Sequence, residues 1–121
     1  MTEESIEQEA QAKVAATALV TPADIEAEIA SSFYFTAAQG AEKAARDNGS
    51  YAVGTPDEGK ALSLITFCVL VLRNGFAVTG ESYCISPENF DAEIGRKIAR
   101  QNAINKMWPL LGFRLRDQLA A

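Results

Sequence analysis

Cysteine and histidine, which most often serve as nucleophile, general base or zinc ligand, are scarce in this chain of 121 residues. It contains two cysteines, Cys68 and Cys84, and no histidine. A cysteine nucleophile requires a general base and an orienting partner, and a structural zinc site requires four ligands that are mostly cysteine and histidine. Cys68 could form an acid-assisted thiol with Glu81, but a small, half-buried strand residue is the simpler interpretation. We therefore predict no catalytic residue, no metal and no cofactor.

Paired carboxylates are the other residues whose types suit catalysis or metal binding. Asp91 with Glu93 and Glu81 with Glu88 are the pairs that stand out. Acidic residues in the first turns of a helix more often complement the helix dipole, and we favour that interpretation. The glycines within residues 49–59 do not form a phosphate-binding loop, because the Lys-Ser/Thr ending and the preceding strand are missing.

A set of polar residues makes a stronger case for binding than for catalysis. Basic side chains beside an apolar stripe often lie over the edge of the core. If the chain forms a homo-oligomer through this surface, however, the same groups would line a pocket at the subunit interface. Such a pocket suits a small anion such as a nucleotide. The predicted ligand-binding residues are Thr66, Thr79, Glu81, Ser82, Tyr83, Lys97, Arg100, Gln101 and Asn105.

A β-hairpin must position the first five of these residues. Ala61 to Arg73 and Phe76 to Ile85 are rich in β-branched and aromatic residues, and Asn74-Gly75 between them favours a two-residue type I′ turn. This loop predicts that Val71 faces Val78 and Cys68 faces Glu81. The predicted core face comprises Ile65, Phe67, Val69, Val71, Phe76, Val78 and Cys84. The opposite face, which we interpret as a contact surface, comprises Thr66, Cys68, Leu70, Leu72, Ala77, Thr79, Glu81 and Tyr83.

Helices are indicated by a capping residue followed by proline. Thr21, Pro22 and Asp24 predict a helix from Pro22 to about Phe33. Residues 34–36 are a short extended piece, residues 37–46 a further helical turn or two, and residues 47–57 a loop. Ser86-Pro87 predicts the start of the last helix, and Pro109 opens its terminal segment. The apolar stripe of that helix is Phe90, Ile94, Ile98, Ile104 and Trp108.

The composition is that of one globular domain, with 48% hydrophobic and 22% charged residues. We predict an acidic N-terminal helix or tail over residues 1–20 and a single α+β domain over residues 21–121. In that domain an antiparallel hairpin packs against an N-terminal helix and a long C-terminal helix. A lone hairpin gives a thin core, so we expect a homo-oligomer.

Charge and hydropathy constrain the partners and the location of the protein. The net charge of −5 argues against DNA or RNA as a partner, although residues 96–116 form a local basic segment. The chain opens with acids, and its longest apolar stretch, Ile65 to Leu72, is too short to span a bilayer. We therefore expect no membrane association and, from the cysteine content, a reducing cytoplasm.

The chain resembles a family of small phage proteins catalogued as gene-forty-nine/gene-sixty-six, over roughly residues 21–119. The segments that carry the resemblance are Ile29-Ala30-Ser31, Tyr34-Phe35-Thr36-Ala37, Thr66-Phe67-Cys68-Val69-Leu70, Arg73-Asn74-Gly75-Phe76, Val78-Thr79-Gly80-Glu81-Ser82, Asn89-Phe90-Asp91-Ala92-Glu93-Ile94-Gly95 and Lys106-Met107-Trp108-Pro109-Leu110. The resemblance implies a phage or prophage gene product that works in the bacterial cytoplasm. It implies no catalytic residue.

Three functions are compatible with these observations. The first is a non-catalytic homo-oligomer that sequesters a small anionic ligand, concretely a nucleotide second messenger of host antiphage immunity. The second is an inhibitor that docks on a host protein through its acidic helices. The third is a nucleotide hydrolase that uses carboxylates, although no sequence feature specifically requires it.

Overall fold

The fold is described from a computed structural model, which defines residues 5–6, 19–49 and 54–121. Most of the predicted N-terminal helix or tail lies outside these residues. The elements after residue 20 are α1 (Pro22–Glu28), β1 (Ile29–Thr36), α2 (Ala37–Asp47), α3 (Pro56–Ser63), β2 (Ile65–Leu72), β3 (Ala77–Tyr83), a 3₁₀ turn (Pro87–Asn89), α4 (Ala92–Asn105) and α5 (Met107–Ala120). The α+β class is confirmed.

The strands form one antiparallel sheet in the order β1-β2-β3. Helix α4 packs against β2 and β3 on one face of this sheet, and we call the other face the open face. The buried core lies between the sheet and the C-terminal helices. Its members are Ile25, Cys68, Leu70, Leu72, Val78, Ala99, Ala103, Ile104, Met107 and Leu111. No helix within the described ranges is long and apolar enough to cross a bilayer.

Strand β1 replaces the second half of the predicted first helix. The predicted start is confirmed, because the Thr21 side chain accepts from the backbone of Asp24, the Asp24 side chain accepts from the backbone of Thr21, and Pro22 follows the cap. The predicted end at Phe33 is wrong, since the helix stops at Glu28. The sequence Ile29–Thr36 is rich in aromatic residues, and pairing with β2 satisfies its backbone hydrogen bonds.

The remaining helix boundaries follow the capping chemistry closely. Helices α2 and α3 begin with capping boxes at Thr36 and Thr55. Asp91, rather than Ser86, caps α4, because Ser86 and Pro87 initiate only the 3₁₀ turn. The chain bends at Lys106, and Pro109 lies in the first turn of α5, where a backbone N–H is not needed.

The hairpin loop contains three residues, so the predicted two-residue turn is wrong. The amide of Leu72 donates to the carbonyl of Phe76 at 2.8 Å, and the amide of Gly75 donates to the carbonyl of Leu72 at 2.9 Å. Gly75 has φ 88°, a left-handed conformation that glycine adopts without strain. This arrangement is a type I turn followed by a bulge. Leu70 therefore faces Val78, and Cys68 faces Gly80.

The predicted core face of β2 is wrong, because the register differs and α4 covers the other face of this strand. On β2 the buried residues are Thr66, Cys68, Leu70 and Leu72, which were assigned to the contact surface. Ile65, Phe67, Val69 and Val71 are half-buried on the open face instead. Among the β3 predictions, Val78 is buried as expected and Phe76 is exposed. Both faces of β2 are apolar, so alternation alone could not identify the side that α4 covers.

The sheet-facing side of α4 is lined mainly by small residues, and only part of the predicted apolar stripe is buried. Ala99 and Ala103 are fully buried, and Gly95 faces the hydroxyl of Thr66. Of the predicted stripe, Ile104 is buried in the core, whereas Ile94 and Ile98 are 55% and 48% exposed. Small side chains let the helix backbone approach the sheet closely, so Ile94 and Ile98 lie on the flank.

Candidate functional site

The predicted ligand-binding residues separate into different surfaces of the folded chain. Thr79, Glu81 and Tyr83 lie on the open face of the sheet, because they pair with the half-buried residues of β2. Thr66 and Ser82 are buried beneath α4. Lys97, Gln101 and Asn105 are exposed on α4, whereas Arg100 is partly buried on the same helix. A single chain therefore does not bring this set into one pocket.

The two buried hydroxyl groups have structural roles. Ser82 Oγ donates a hydrogen bond of 2.9 Å to the carbonyl oxygen of Gly95. Thr66, which pairs with Ser82 across the hairpin, places its hydroxyl 3.0 Å from where a Cβ on Gly95 would lie. The bond from Ser82 fixes the first turn of α4 against the sheet, and Ser82 and Tyr83 also line a small cavity of about 140 Å³ beside this turn.

The polar row on α4 is satisfied at the surface of the helix. Lys97 Nζ lies 3.4 Å from Glu93 Oε1, and both side chains are more than 70% exposed, at 75% and 72%. Gln101 Nε2 donates to Asn105 Oδ1 at 2.9 Å. Exposed pairs of this kind contribute little to stability, so these groups remain available to a partner or ligand at small energetic cost.

Arg100 is the predicted residue with the most specific environment. Its guanidinium donates two hydrogen bonds to Glu26, with N–O distances of 3.0 Å and 2.8 Å. The Arg100 side chain is 31% exposed and that of Glu26 57%. The hydrogen bond from Arg100 lowers the pKa of Glu26 below its usual value, and the same bond raises the pKa of Arg100. Helix α1 therefore holds the guanidinium in a fixed orientation.

Tyr34 and Cys68 lie beside Arg100 on the side of the sheet that faces α4. The two residues are partners across β1 and β2, and burial raises the pKa of both side chains. Cys68 is completely buried, whereas Tyr34 is 36% exposed. A buried thiol with a raised pKa is a poor nucleophile, so Cys68 is part of the core.

Arg96 lies one helical turn before Arg100, and the two residues form a basic surface on one side of α4. Residues four apart share one side of a helix, and α4 packs on β2 and β3, leaving Ser32 and Tyr34 exposed on the neighbouring strand. We call Ser32, Tyr34, Arg96 and Arg100 the arginine shelf. Among residues 5–6, 19–49 and 54–121, no carboxylate forms a salt bridge with Arg96.

Ser32 and Tyr34 were not predicted as binding residues, because the sequence pattern places Ser32 in a helix and Tyr34 in a short extended piece rather than in a sheet. Arg96 belongs to the basic segment that the sequence predicts over residues 96–116. Its position relative to β1 could not be predicted, because that position depends on which side of α4 faces the sheet.

The surface cavities are less suited to an anion than the arginine shelf. The cavity between α1 and α5, of about 440 Å³, is lined by Asp24, Glu28 and Arg114. Arg114 is already bound by Glu28 through hydrogen bonds of 3.1 Å and 3.0 Å. A cavity of about 410 Å³ beside α2 contains Lys43, which pairs with Asp47. In both cavities a carboxylate neutralises the cation.

The carboxylates of Asp91 and Glu93 have structural partners in the folded chain. Asp91 Oδ1 accepts a hydrogen bond of 3.1 Å from the amide of Ile94 and so caps α4. Glu93 pairs with Lys97. Within the part of the chain that the structure describes, no three His, Cys, Asp or Glu side chains come together in a geometry that could hold a metal ion.

Comparison with known proteins gives a context for this site. The model of the phage protein (N4 Gp49/phage Sf6 gene 66) family matches residues 20–119. No curated protein and no solved structure matches the chain. The family match extends from α1 to the end of α5 and includes every residue of the arginine shelf. The chain belongs to the phage protein (N4 Gp49/phage Sf6 gene 66) family.

Proposed function

We propose that this protein is a non-catalytic phage accessory protein that binds and sequesters a small anionic ligand in the cytoplasm of the bacterial host. The concrete candidate is a nucleotide second messenger of host antiphage immunity. The observation that supports this proposal is the arginine shelf, where two arginines lie one helical turn apart on α4 and Arg100 lies beside the exposed ring of Tyr34.

The chemistry of the shelf suits a phosphate better than it suits a carboxylate or a neutral ligand. Guanidinium groups bind phosphate oxygens through paired hydrogen bonds. Arg96 is free to do so, and Arg100 is partly buried and already oriented by Glu26. A phosphate oxygen would either displace the Glu26 carboxylate or bind beside it.

Tyr34 adds a surface for the rest of a nucleotide. Its ring is 36% exposed next to Arg100, and an aromatic ring beside an arginine can stack on a nucleobase. The hydroxyl groups of Ser32 and Tyr34 can donate or accept hydrogen bonds. The shelf therefore combines phosphate binding with base stacking.

The proposal is tested by incubating the purified protein with linear and cyclic nucleotides, followed by filtration and chromatography of the filtrate. Heat denaturation of the retained complex then releases the ligand. A nucleotide that disappears from the filtrate and returns chemically unchanged establishes sequestration. An altered nucleotide would instead show that the protein is an enzyme, and a panel that passes through untouched would contradict nucleotide binding.

Variants connect the binding to the arginine shelf. Arg96→Ala and Arg100→Ala should each weaken nucleotide affinity about 10-fold or more, because each removes a charge-assisted contact. Arg116→Ala is the matched control, since it removes the same charge from α5 and leaves the shelf intact. Equal affinity in wild type and both shelf variants would place the ligand elsewhere. Lys97→Ala tests whether the neighbouring polar row also contributes.

Docking on a host protein through acidic helices is less well supported. Asp24 caps α1, Glu26 binds Arg100 and Glu28 binds Arg114, so the acidic residues of α1 are engaged within the chain. If no small ligand binds, charge reversal at Asp24 or Glu26 and co-purification from host extract would test this alternative.

A further inference from the structure

The two edges of the sheet differ in how their backbone hydrogen-bonding groups are satisfied. On β2 and β3, the hydrogen-bonded pairs include Leu72 with Phe76 and Leu64 with Cys84. Because such pairs alternate with non-hydrogen-bonded pairs along a ladder, the N–H and C=O groups of the odd-numbered residues of β3 point to its outer edge. The carbonyl of Glu81 is one of these, and Asn102 Nδ2 donates to it at 2.7 Å. Helix α4 therefore protects the middle of this edge.

The same alternation identifies the outward groups of β1. Even-numbered residues of β2 bond to β3, so its odd-numbered residues bond to β1, where Phe33 pairs with Val69 and Phe35 with Phe67. The backbone groups of Ser32, Tyr34 and Thr36 then point away from the sheet. The amide of Thr36 is satisfied by Gln39 Oε1 at 2.9 Å. In the described part of the chain, no hydrogen bond covers the outer backbone groups of Ser32 or Tyr34.

Strand β1 also lacks the features that normally protect an edge. Its sequence, Ile29–Thr36, contains no charged residue and no proline, and Phe33 is 54% exposed. Edges that remain unpaired usually carry a charge, a proline or a covering element. The register shift between Ile29 and Ser31 distorts only the start of the strand.

We propose that β1 pairs antiparallel with β1 of a second copy of this chain, about a two-fold axis at Phe33. Ser32 and Tyr34 are the undistorted residues with free outward groups, and only a two-fold axis at Phe33 pairs each with the other in the second copy. The two Phe33 side chains then face each other on the open face of the sheet, where cross-strand aromatic pairs are favourable. The result is a continuous sheet of twice three strands.

This pairing also brings two arginine shelves together. The ligand that we infer from it rests on the proposed function. Each α4 lies above β2 and β3, so strand spacing places the two α4 helices roughly 20 Å apart across the axis. Ser32 and Tyr34 of both copies form the base of the space between the two helices. Arg96 and Arg100 of each copy lie at its sides. This site fits a ligand with two phosphate groups, such as a cyclic dinucleotide or a dinucleoside diphosphate.

The interface is tested by measuring the mass of the ligand-free protein by light scattering. Wild type should have at least twice the 13.0 kDa mass of one chain. Ser32→Pro removes an outward N–H without affecting the bonds to β2, and by symmetry two intermolecular hydrogen bonds are lost. We expect the dissociation constant of the assembly to rise about 10-fold or more. Ala77→Pro makes the same change at the outer edge of β3 and should leave the mass unchanged.

A cross-link at the two-fold axis tests the register directly. Cα atoms of a non-hydrogen-bonded antiparallel pair lie about 4.5 Å apart, which is within the range of a disulfide. Phe33→Cys should therefore form a covalent dimer on mild oxidation, and wild type should not. A monomeric wild type, an equal mass loss in both proline variants, or no cross-link at position 33 would each overturn the pairing. A dimer that binds no nucleotide would support the strand pairing and contradict only the proposed function.

Discussion

A Cβ atom on Gly80 would overlap the backbone nitrogen of Ala103 and the backbone oxygen of Ala99. Strand β3 and helix α4 are therefore in direct backbone contact at this position. The absence of a side chain at residue 80 sets the distance between the helix and the sheet, and Ala99 and Ala103 maintain it on the helix side. The placement of every residue on α4, including both arginines of the shelf, depends on this contact.

Gly80→Ala should lower the free energy of unfolding by about 3 kcal/mol or more, because backbone atoms cannot move aside as a flexible side chain can. Urea unfolding followed by circular dichroism would measure the change. Gly112→Ala is the matched control. A Cβ at Gly112 has nothing within 4 Å, and alanine in a helix should stabilise the protein by up to about 1 kcal/mol. Equal stability of Gly80→Ala and wild type would contradict the close contact.

The fold was predictable where local chemistry determines it. Thr21, Pro22 and Asp24 specify the start of α1 because capping involves only neighbouring residues. The end of α1 and the existence of β1 were not predictable in this way. Residues 29–36 become a strand because β2 supplies hydrogen-bonding partners from thirty or more positions away in the sequence. The helical periodicity of Ile25, Ile29 and Phe33 concealed that long-range pairing.

The candidate site was predicted only in part, for a related reason. Arg100 was identified, but Thr66 and Ser82 were assigned to a binding surface and are buried under α4. Asn74-Gly75 is compatible with loops of two or three residues, and both faces of β2 are apolar. The backbone contact at Gly80, which decides the buried face, involves residues on two elements that no local pattern relates.

Thiol labelling tests which face of the hairpin is buried. Cys68 is completely buried and its pKa is raised by burial, whereas Cys84 is only partly buried. A thiol reagent at neutral pH should therefore modify Cys84 at least about 100-fold faster than Cys68, since reaction requires an accessible thiolate. In denaturant both should react at similar rates. Faster modification of Cys68 in the native protein would support the opposite face.

Glu26→Gln should increase the affinity of the arginine shelf for a phosphate-containing ligand several-fold. The Glu26 carboxylate occupies the same guanidinium that the ligand requires, and the amide is a weaker competitor because it is uncharged. Glu28→Gln is the control, because Glu28 pairs with Arg114 instead. Isothermal titration of both variants with the same nucleotide would show whether the increase is specific to Glu26. A decrease in Glu26→Gln would mean that the carboxylate orients Arg100 rather than competing for it.

Acid should weaken the fold through these same two ion pairs. Hydrogen bonds from Arg100 and Arg114 lower the pKa values of Glu26 and Glu28 below 4.5. Their stabilisation is therefore present above that pH and is lost as the pH falls through the lowered values. Because the pairs are partly exposed, each should contribute about 1 kcal/mol or less. Urea unfolding between pH 7 and pH 3 should show a smaller decline in the double variant Glu26→Gln, Glu28→Gln, and an equal decline would exclude this contribution.

Asn102→Ala should expose the outer edge of β3. The variant loses the hydrogen bond to the carbonyl of Glu81, which should lower the free energy of unfolding by about 1 kcal/mol. Because edge protection is also lost, light scattering should detect larger, concentration-dependent assemblies than in wild type. Asn105→Ala, which removes an amide from the solvent side of the same helix, should do neither.

The three-residue hairpin loop constrains both the length and the residues of this turn. Arg73 Nε donates to the carbonyl oxygen of Ala27, and Asn74 Oδ1 accepts a hydrogen bond of 3.0 Å from the amide of Phe76. If one residue were deleted and the loop still contained three, Leu70 would lie opposite Thr79 instead of Val78, and Gly80 would move away from Cys68, its partner beneath α4. In homologous chains we therefore expect insertions and deletions to be rare between β2 and β3. An alignment gap in this loop would mark a relative whose helix lies on the sheet differently.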